Sequence, residues 1–213
     1  CLAIIADIDD AEGAFSGARP KGPLHVDAHG TLTRHFIIPG LPCFLSDYPE
    51  IDLCIGEADR PVDLVREGVD CAVRVGELAD SDLLARRIAM LDAVTCAAPD
   101  YIARFGMPEN LDDLKRHRMV GFHSSRSGKP LPLELTVDGI AREITLPTML
   151  SVNGAENLVA VARLGLGLIQ VPRYHVEADL AQGGLISVLP QYPPSAVPVS
   201  LLYPRSQQLS PRL

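Results

Sequence analysis

Tryptophan is missing from the sequence, and aromatic residues of all kinds make up only 5% of its 213 positions. Apolar residues still reach 47%, so the chain can bury a sizeable core, and that core must be mainly aliphatic. No apolar run approaches the roughly 20 residues that a membrane-spanning helix needs. A basic segment followed by an apolar one, which is typical of a signal peptide, is also missing. We therefore expect a cytoplasmic protein with no membrane partner, folded as one domain or two small ones.

Cysteine occurs only five times, at Cys1, Cys43, Cys54, Cys71 and Cys96. An odd number of cysteines with no CxxC pair is typical of a reducing, cytoplasmic compartment. The sequence also lacks a GxSxG or HExxH motif and any Cys/His cluster with zinc spacing. The dipeptide repeat at Gly165–Gly167 lacks the third glycine of a dinucleotide-binding loop and follows a helical pattern instead of opening one. We predict no catalytic residue, no metal site and no cofactor.

Positive charge is scarce, because 19 lysines and arginines stand against 27 acidic residues and give a net charge of −8. A nucleic-acid-binding surface usually carries a basic patch, and no basic run is present. We expect this chain, taken alone, not to bind DNA. The first residue is Cys1 and not Met, which predicts that the sequence belongs to a longer protein. Residues 1–15 have helical apolar spacing and residues 16–23 have the composition of a linker.

The first half of the chain alternates strands and helices in the order of a parallel α/β sheet. Strands are predicted at Leu24–Ala28, Ile51–Ile55 and Cys71–Val75, and one apolar stripe runs along a helix from Thr31 to Leu45, bent at Pro39. Ligands of such sheets bind beyond the carboxyl ends of the strands. The residues at these ends are His29, Gly30, Thr31, Glu57 and Arg74. Glu57 could receive a donor group of a ligand or pair with Arg74.

The second half has its own set of strands and helices. Strands are predicted at Ala93–Ala98 and Met119–His123, a hairpin turns at Asp138-Gly139, and Asn153 opens a helix with a near capping box. Further strands are predicted at Leu166–Val171, Leu185–Leu189 and Val199–Tyr203. His123 ends a strand beside a Ser-rich loop, so of the scattered histidines it is the one that we single out as a candidate ligand contact.

Three segments together resemble the effector-binding domain of LysR-type transcriptional regulators. They are DLVREGVDCAVRVGEL (63–78), LARR (84–87) and CAAPDYI (96–102), which occur in this order in the family. NGAENLVAVARLGLGLIQVP (153–172) and LLYPRSQQLSPR (201–212) are similar to the family at the corresponding places. In that family an N-terminal helix-turn-helix binds DNA and is joined to the effector domain by a long helix and a linker.

The resemblance implies an α/β fold of the periplasmic-binding-protein type with two lobes. Each lobe is expected to be a mixed sheet flanked by helices, and the chain to cross twice between them. Residues 1–22 would be the remnant of the linker helix and linker. Residues 23–92 plus 203–213 would form lobe I, and residues 93–202 would form lobe II.

By the same resemblance a small-molecule effector, for which a carboxylate is one candidate class, would bind between the lobes. The expected ligand-binding residues are His29, Gly30, Thr31, Glu57, Arg74, Thr95, His123 and Asn153. The protein would form a homodimer or homotetramer and would contact DNA only through the N-terminal domain that this sequence does not contain.

Other interpretations of the same residues stay open at this point. Thr31 and Asn153 could be ordinary helix caps, and Thr95 could be an ordinary strand residue. A solute-binding protein of a transport system shares the two-lobed plan, although the missing signal peptide and the free cysteines disfavour it. Redox sensing through Cys71 and Cys96 is disfavoured because both lie in apolar strands.

Overall fold

A computed structural model of the chain describes residues 19–57, 63–78, 81–123, 130–205, 210 and 212. The strands within these residues are β1 (Gly22–Ala28), β2 (Ile51–Gly56), β3 (Cys71–Val75), β4 (Leu84–Leu91), β5 (Ala93–Ala97), β6 (Met119–Phe122), β7 (Leu133–Val137), β8 (Ile140–Ile144), β9 (Thr148–Val152), β10 (Ile169–Pro172), β11 (Ile186–Ser187) and β12 (Val197–Tyr203). The α-helices are α1 (Gly30–Leu32), α2 (Leu41–Asp47), α3 (Leu64–Glu67), α4 (Pro99–Phe105), α5 (Ala155–Arg163) and α6 (Glu177–Gln182). The helical pattern predicted for residues 1–15 and the Ser-rich loop 124–129 lie outside the described residues.

The chain divides into two compact units, and it passes between them twice, as predicted. Unit 1 comprises Cys1–Ala89 with Pro198–Leu213, and unit 2 comprises Met90–Val197. The chain re-enters unit 1 at Pro198, before the predicted position at residue 203, because β12 pairs with β3 of unit 1. A strand finds its partner through contacts distant in sequence, so the local pattern that located β12 did not say which sheet it joins.

The sheet of unit 1 has the order β2-β1-β3-β12-β4. β1 runs parallel to β2 and to β3, and β12 runs antiparallel to β3, so the sheet is mixed, as expected. Its buried side chains are mainly aliphatic: Leu24, Ala28, Leu32, Ile51, Leu64, Cys71, Ala72 and Val199. The parallel register brings the carboxyl ends of β1, β2 and β3 to one edge of the sheet.

The helical segment after β1 changes its winding along its length. α1 is followed by a π-helical turn at Thr33–Ile37, a 3-10 turn at Ile38–Gly40 and then α2. Pro39 has no N–H to donate and its ring crowds the preceding turn, which explains the interruption. The predicted apolar stripe does not lie in the core beyond Leu32, since its members Phe36 and Leu45 are 52% and 43% exposed.

The sequence pattern predicts that a left-handed turn at Gly68 ends a helix, and α3 ends there. Gly68 follows it in the left-handed conformation, with φ of 68°, where glycine avoids the steric cost of a Cβ. At its start the side chain of Asp63 accepts a hydrogen bond of 3.1 Å from the amide of Arg66. The sequence pattern also predicts Asp59 as the cap of this helix and Pro61 in its first turn, and both residues lie outside the described residues.

Unit 2 holds an antiparallel sheet in the order β10-β5-β11, the parallel pair β6-β9 and the hairpin β7-β8. The hairpin turns at Asp138-Gly139, as predicted, and both residues have positive φ, 50° and 78°, as the tight primed turns require. β9 was not anticipated, because Met149 and Leu150 are exposed and the strand lacks a clear alternation.

Helix α5 begins one residue later than predicted. Its N-cap is Gly154, and no side chain of the described residues caps the helix, so the proposed cap by Asn153 was wrong. The glycines after α5 have structural roles. Gly165 takes the left-handed conformation just after the helix, and a Cβ on Gly167 would lie 2.8 Å from the backbone carbon of Met119. Close packing of backbone on backbone therefore explains a pattern that superficially resembles a nucleotide-binding loop.

Candidate functional site

The start of α1, directly after β1, is buried and polar. Thr31 is 2% exposed, and its hydroxyl oxygen lies 2.8 Å from Nδ1 of His29. The same Nδ1 accepts the amide N–H of Thr31 at 3.4 Å, which assigns the ring proton to Nε2. With this tautomer the Thr31 hydroxyl donates to His29, and its oxygen can act as an acceptor toward a ligand.

Glu57 meets this helix start from the end of the neighbouring strand. The parallel register pairs Asp27 of β1 with Gly56 of β2, so the residues that follow these strands emerge at the same edge. An ideal Cβ on Gly30 would lie 1.9 Å from Oε1 of Glu57. Only glycine leaves room here for the carboxylate, which places a negative charge beside the buried Thr31.

Arg74, at the end of β3, pairs with a residue that sequence reasoning missed. Its Nη2 lies 2.5 Å from Oδ1 of Asp27, so it pairs with Asp27 and not with Glu57. Among the described residues these two atoms have no hydrogen-bond partner, which makes the contact a close charge pair without hydrogen-bond alignment. Nη1 of Arg74 donates to the carbonyl of Val73 at 3.2 Å. Asp27 is 5% exposed. The only signal of its role in the sequence is that it is a single charged residue in an apolar strand.

In unit 2 the hydroxyl of Thr95 is held within a side-chain network. Thr95 is 2% exposed, and its oxygen accepts a hydrogen bond of 2.9 Å from Nε2 of Gln170. Gln170 also exchanges two hydrogen bonds with the backbone of Glu134, at 2.7 and 2.9 Å. Gln170 faces Thr95 across β10 and β5 and was missed because an uncharged amide in an apolar strand gives little signal.

His123 and Asn153 follow the carboxyl ends of β6 and β9. These strands are parallel, with Phe122 opposite Val152. The amide of His123 donates to the carbonyl of Val152 at 2.8 Å, which extends the ladder of this pair one residue beyond β6. His123 also forms an isolated antiparallel bridge with Pro130, and Asn153 is exposed. These contacts fix His123 at a strand end, where the carboxyl ends of parallel strands usually meet ligands.

The expected ligand-binding residues thus form separate groups within each unit. In unit 1, Glu57 lies against Gly30 at the start of α1, and Arg74 faces Asp27. In unit 2, His123 and Asn153 follow neighbouring strands, and Thr95 belongs to the Gln170 network. The expectation that one ligand contacts both units stays a prediction.

The structure offers little support for metal or thiol chemistry. Within the described ranges, no group of three or more His, Cys, Asp or Glu side chains is arranged to hold a metal ion. Burial, reinforced by the charge of Asp70, raises the pKa of the Cys71 thiol to about 12. Burial, reinforced by the charge of Asp179, raises the pKa of Cys96 to about 12 as well. Both thiols therefore stay protonated at neutral pH, which makes them poor nucleophiles.

The described part of the chain contains no helix that is both long enough and apolar enough to cross a lipid bilayer.

The family model described as the LysR substrate binding domain matches residues 17–213. The chain belongs to this family. The match spans both units and includes all eight of the expected ligand-binding residues. It confirms the resemblance drawn from the ordered motifs of the sequence.

Characterised and uncharacterised regulators resemble the chain along nearly its whole length. The uncharacterised HTH-type transcriptional regulator YhjC of Escherichia coli is 35% identical over 99% of this chain and 71% of its own length. The HTH-type transcriptional repressor PA14_22550 of Pseudomonas aeruginosa is 31% identical over 100% of this chain and 68% of its own length. These LysR-family relatives are transcriptional regulators, so a solute-binding protein of a transport system is excluded as the alternative.

Solved structures support the same family and fold. The LysR-type regulator CrgA of Neisseria meningitidis superimposes with a TM-score of 0.77 at 25% identity, over 99% of this chain and 71% of its own. The CrgA regulatory domain gives a TM-score of 0.74 at 26% identity, over 88% of this chain and 91% of its own. The chain therefore has the periplasmic-binding-protein-like fold of LysR regulatory domains, and it is the effector-binding domain of a LysR-type transcriptional regulator.

Proposed function

We propose that the effector of this LysR domain binds at the start of α1, where His29, Thr31 and Glu57 meet. The observation that carries this proposal is the position of the Glu57 carboxylate, which fills the space beside Gly30. It puts an exposed carboxylate beside the residue that precedes the buried Thr31, at the edge where the parallel strands β1, β2 and β3 end. Ligands of open α/β sheets bind at such edges.

The groups at this helix start favour an effector that offers a hydrogen-bond donor. Glu57 is an acceptor when ionised, and the Thr31 oxygen accepts when its proton faces His29. The charge of Arg74 already faces Asp27. A carboxylate on the effector could accept from Nε2 of His29, so an amino acid or a hydroxy acid combines the favoured donor with the predicted carboxylate.

A thermal-shift screen of this domain against amino acids, hydroxy acids and the matching simple carboxylates tests the proposed class. A ligand at a hundred times its dissociation constant adds about 2.7 kcal/mol to the free energy of unfolding. Calorimetric titration of the best compound should then show weaker binding to Glu57→Gln and to Thr31→Val, and unchanged binding to Glu143→Gln, an exposed acid in unit 2. Wild-type affinity in both site variants would contradict the proposal.

For unit 2 the proposal keeps Thr95, His123 and Asn153 as effector contacts. The strand-end positions of His123 and Asn153 support their inclusion, and Gln170 holds the Thr95 hydroxyl in a fixed orientation. An effector that prefers one arrangement of the domain shifts its conformational equilibrium and so repositions the DNA-binding domains. Asn153→Ala and Thr95→Val should each weaken binding, and a ligand complex that involves residues of unit 1 alone would contradict this part.

We also propose that the domain associates as a homodimer, which can in turn build a homotetramer. Each unit exposes several large apolar side chains. Large exposed apolar patches are rare on monomeric proteins and usually mark contact surfaces. Ile38, Leu45 and Tyr48 are exposed on unit 1, and Met149 and Leu164 are exposed on unit 2 at 80% and 70%. Equilibrium sedimentation at tens of micromolar should show dimers, and a single monomeric species would contradict the association.

The domain acts, in this proposal, as a non-enzymatic sensor in the cytoplasm. Its relatives are transcriptional regulators, and such proteins work where the DNA is. The four described cysteines, Cys43, Cys54, Cys71 and Cys96, are free thiols, which fits a reducing compartment. Contact with DNA is assigned to the helix-turn-helix of the full-length regulator.

A further inference from the structure

Three charged side chains belong to the three neighbouring strands that end beside the proposed effector site. Glu57 directly follows β2, Asp27 lies in β1, and Arg74 lies in β3. The register pairs Asp27 with Gly56, the residue before Glu57. It also pairs Asp27 with Ala72, two residues before Arg74, so the side chains of Asp27 and Arg74 lie on the same face of the sheet. One edge of the sheet thus carries two carboxylates and one guanidinium.

Asp27 holds Arg74 in a close and largely buried pair. Oδ1 of Asp27 lies 2.5 Å from Nη2 of Arg74, and the exposed fractions of the two side chains are 7% and 20%. The carboxylate is therefore shut away from solvent, whereas part of the arginine side chain is accessible. In a buried pair each charge offsets the cost of burying the other. A ligand can reach Arg74 more easily than it can reach Asp27.

This pair changes the kind of ligand that the site accepts. A free guanidinium binds a carboxylate through two parallel hydrogen bonds, but Asp27 already offsets the charge of Arg74. The other carboxylate, that of Glu57, is exposed and repels a further negative charge close to it. A ligand with one carboxylate and a donor group fits this arrangement of charges. A ligand with two carboxylates does not.

We propose that Asp27 sets the charge preference of the effector site, because it neutralises Arg74 and so makes the domain reject dicarboxylates. The inference rests on the proposed effector site and narrows its ligands to compounds with at most one carboxylate. Asp27 acts through Arg74 and does not contact the ligand itself. Loss of the Asp27 charge would leave Arg74 unpaired, and an unpaired buried charge favours an anion that takes the place of the missing partner.

Succinate and its half-amide, succinamate, test this preference in the intact domain, since they have nearly the same shape and differ by one negative charge. Calorimetric titration of Asp27→Asn with succinate should give an affinity at least about tenfold above that of the wild type, because the freed arginine adds a charge-assisted hydrogen bond. The gain should be smaller for succinamate. Adding Arg74→Gln to Asp27→Asn should abolish the gain. Damage to the fold alone would not produce a gain of affinity for one charge type.

The matched control is Asp179→Asn, which frees the arginine of another ion pair. Oδ1 of Asp179 lies 2.7 Å from Nε of Arg163, in unit 2, and the substitution removes the same charge. Succinate affinity should stay at the wild-type value in this variant. Circular dichroism checks the folding of each protein. If Asp27→Asn does not fold, Asp27→Ser, which leaves room for water beside Arg74, is titrated in its place.

Each outcome decides the proposal. A succinate gain in the Asp27 variant that disappears with Arg74→Gln supports it. Equal succinate affinity in the wild type and the Asp27 variant overturns it, and so does a gain that persists without Arg74 or that appears equally in Asp179→Asn. Asp27 variants that stay unfolded, with or without succinate, also overturn it, because Asp27 then serves the fold alone. The effector site itself is tested separately, by titration of Glu57→Gln and Thr31→Val with the best compound of the thermal-shift screen, so either proposal can fail without the other.

Discussion

Replacing Gly30 by alanine should abolish most of the effector affinity while leaving the fold intact. An ideal Cβ at this position lies 1.9 Å from Oε1 and 2.2 Å from Cδ of Glu57. Non-bonded atoms of this kind settle at about 3.5 Å, so the carboxylate must withdraw by about 1.5 Å. A displacement of that size breaks a hydrogen bond between Glu57 and a bound ligand.

The expected loss follows from the strength of that bond. A hydrogen bond to a charged group contributes about 1.5–3 kcal/mol, which corresponds to an affinity lower by about ten- to a hundredfold. Folding should change little, because Glu57 is exposed and can turn away from the new methyl group. Gly30 does not have a positive φ, so alanine adds no backbone strain there. We expect the free energy of unfolding to stay within about 1 kcal/mol of wild type.

Two measurements check this prediction together. Calorimetric titration with the compound from the thermal-shift screen gives the affinity, and urea unfolding gives the stability. Gly40→Ala is the matched control, since a Cβ on Gly40 would meet no atom within 4 Å. Effector affinity in Gly30→Ala equal to that of the wild type and of Gly40→Ala would refute the role assigned to Glu57.

Three further predictions concern stability and DNA. Tyr101→Phe removes a buried hydroxyl that is hydrogen-bonded to His117 at 3.1 Å and to the Arg118 backbone at 3.0 and 3.2 Å. The substitution should lower the free energy of unfolding, measured in urea, by about 1–3 kcal/mol. An unchanged urea midpoint would argue against this network. Burial and the nearby charge of Arg116 lower the pKa of His117 in the folded state, and the charge of Asp113 partly opposes them. As the pH falls, the His117 ring is therefore protonated in the unfolded chain before it is protonated in the folded one. The free energy of unfolding should fall as the pH drops below about 6.5. The variant His117→Gln should lose that part of the pH dependence, and an identical dependence in both proteins would contradict the assignment. With a net charge of −8, the domain alone should show no salt-sensitive affinity for duplex DNA in anisotropy titrations. Specific operator binding by the domain alone would contradict the assignment of DNA binding to the helix-turn-helix.

The sequence predicted those elements whose signals are local. The strand Cys71–Val75 matches its predicted bounds, β5 is one residue shorter than predicted, and the left-handed Gly68 ends α3 as expected. Their apolar patterns, caps and breakers lie within a few residues of each other. The family followed from the order of such segments along the chain.

Two of the failures have a different origin, since they depend on partners distant in sequence. The sheet that β12 joins is set by its pairing with β3, which local periodicity does not encode. The buried partner of Arg74 is Asp27, 47 residues away, and Glu57 instead packs on Gly30. Which charges meet at a strand edge depends on register, and register became visible only in the folded chain.

The position of the effector tests the central claim most directly. A crystal structure of this domain with the best compound from the thermal-shift screen would locate it. We expect a donor group of the ligand within hydrogen-bond distance of the Glu57 carboxylate, with the ligand against Thr31 at the start of α1. A ligand bound away from both residues would contradict this site.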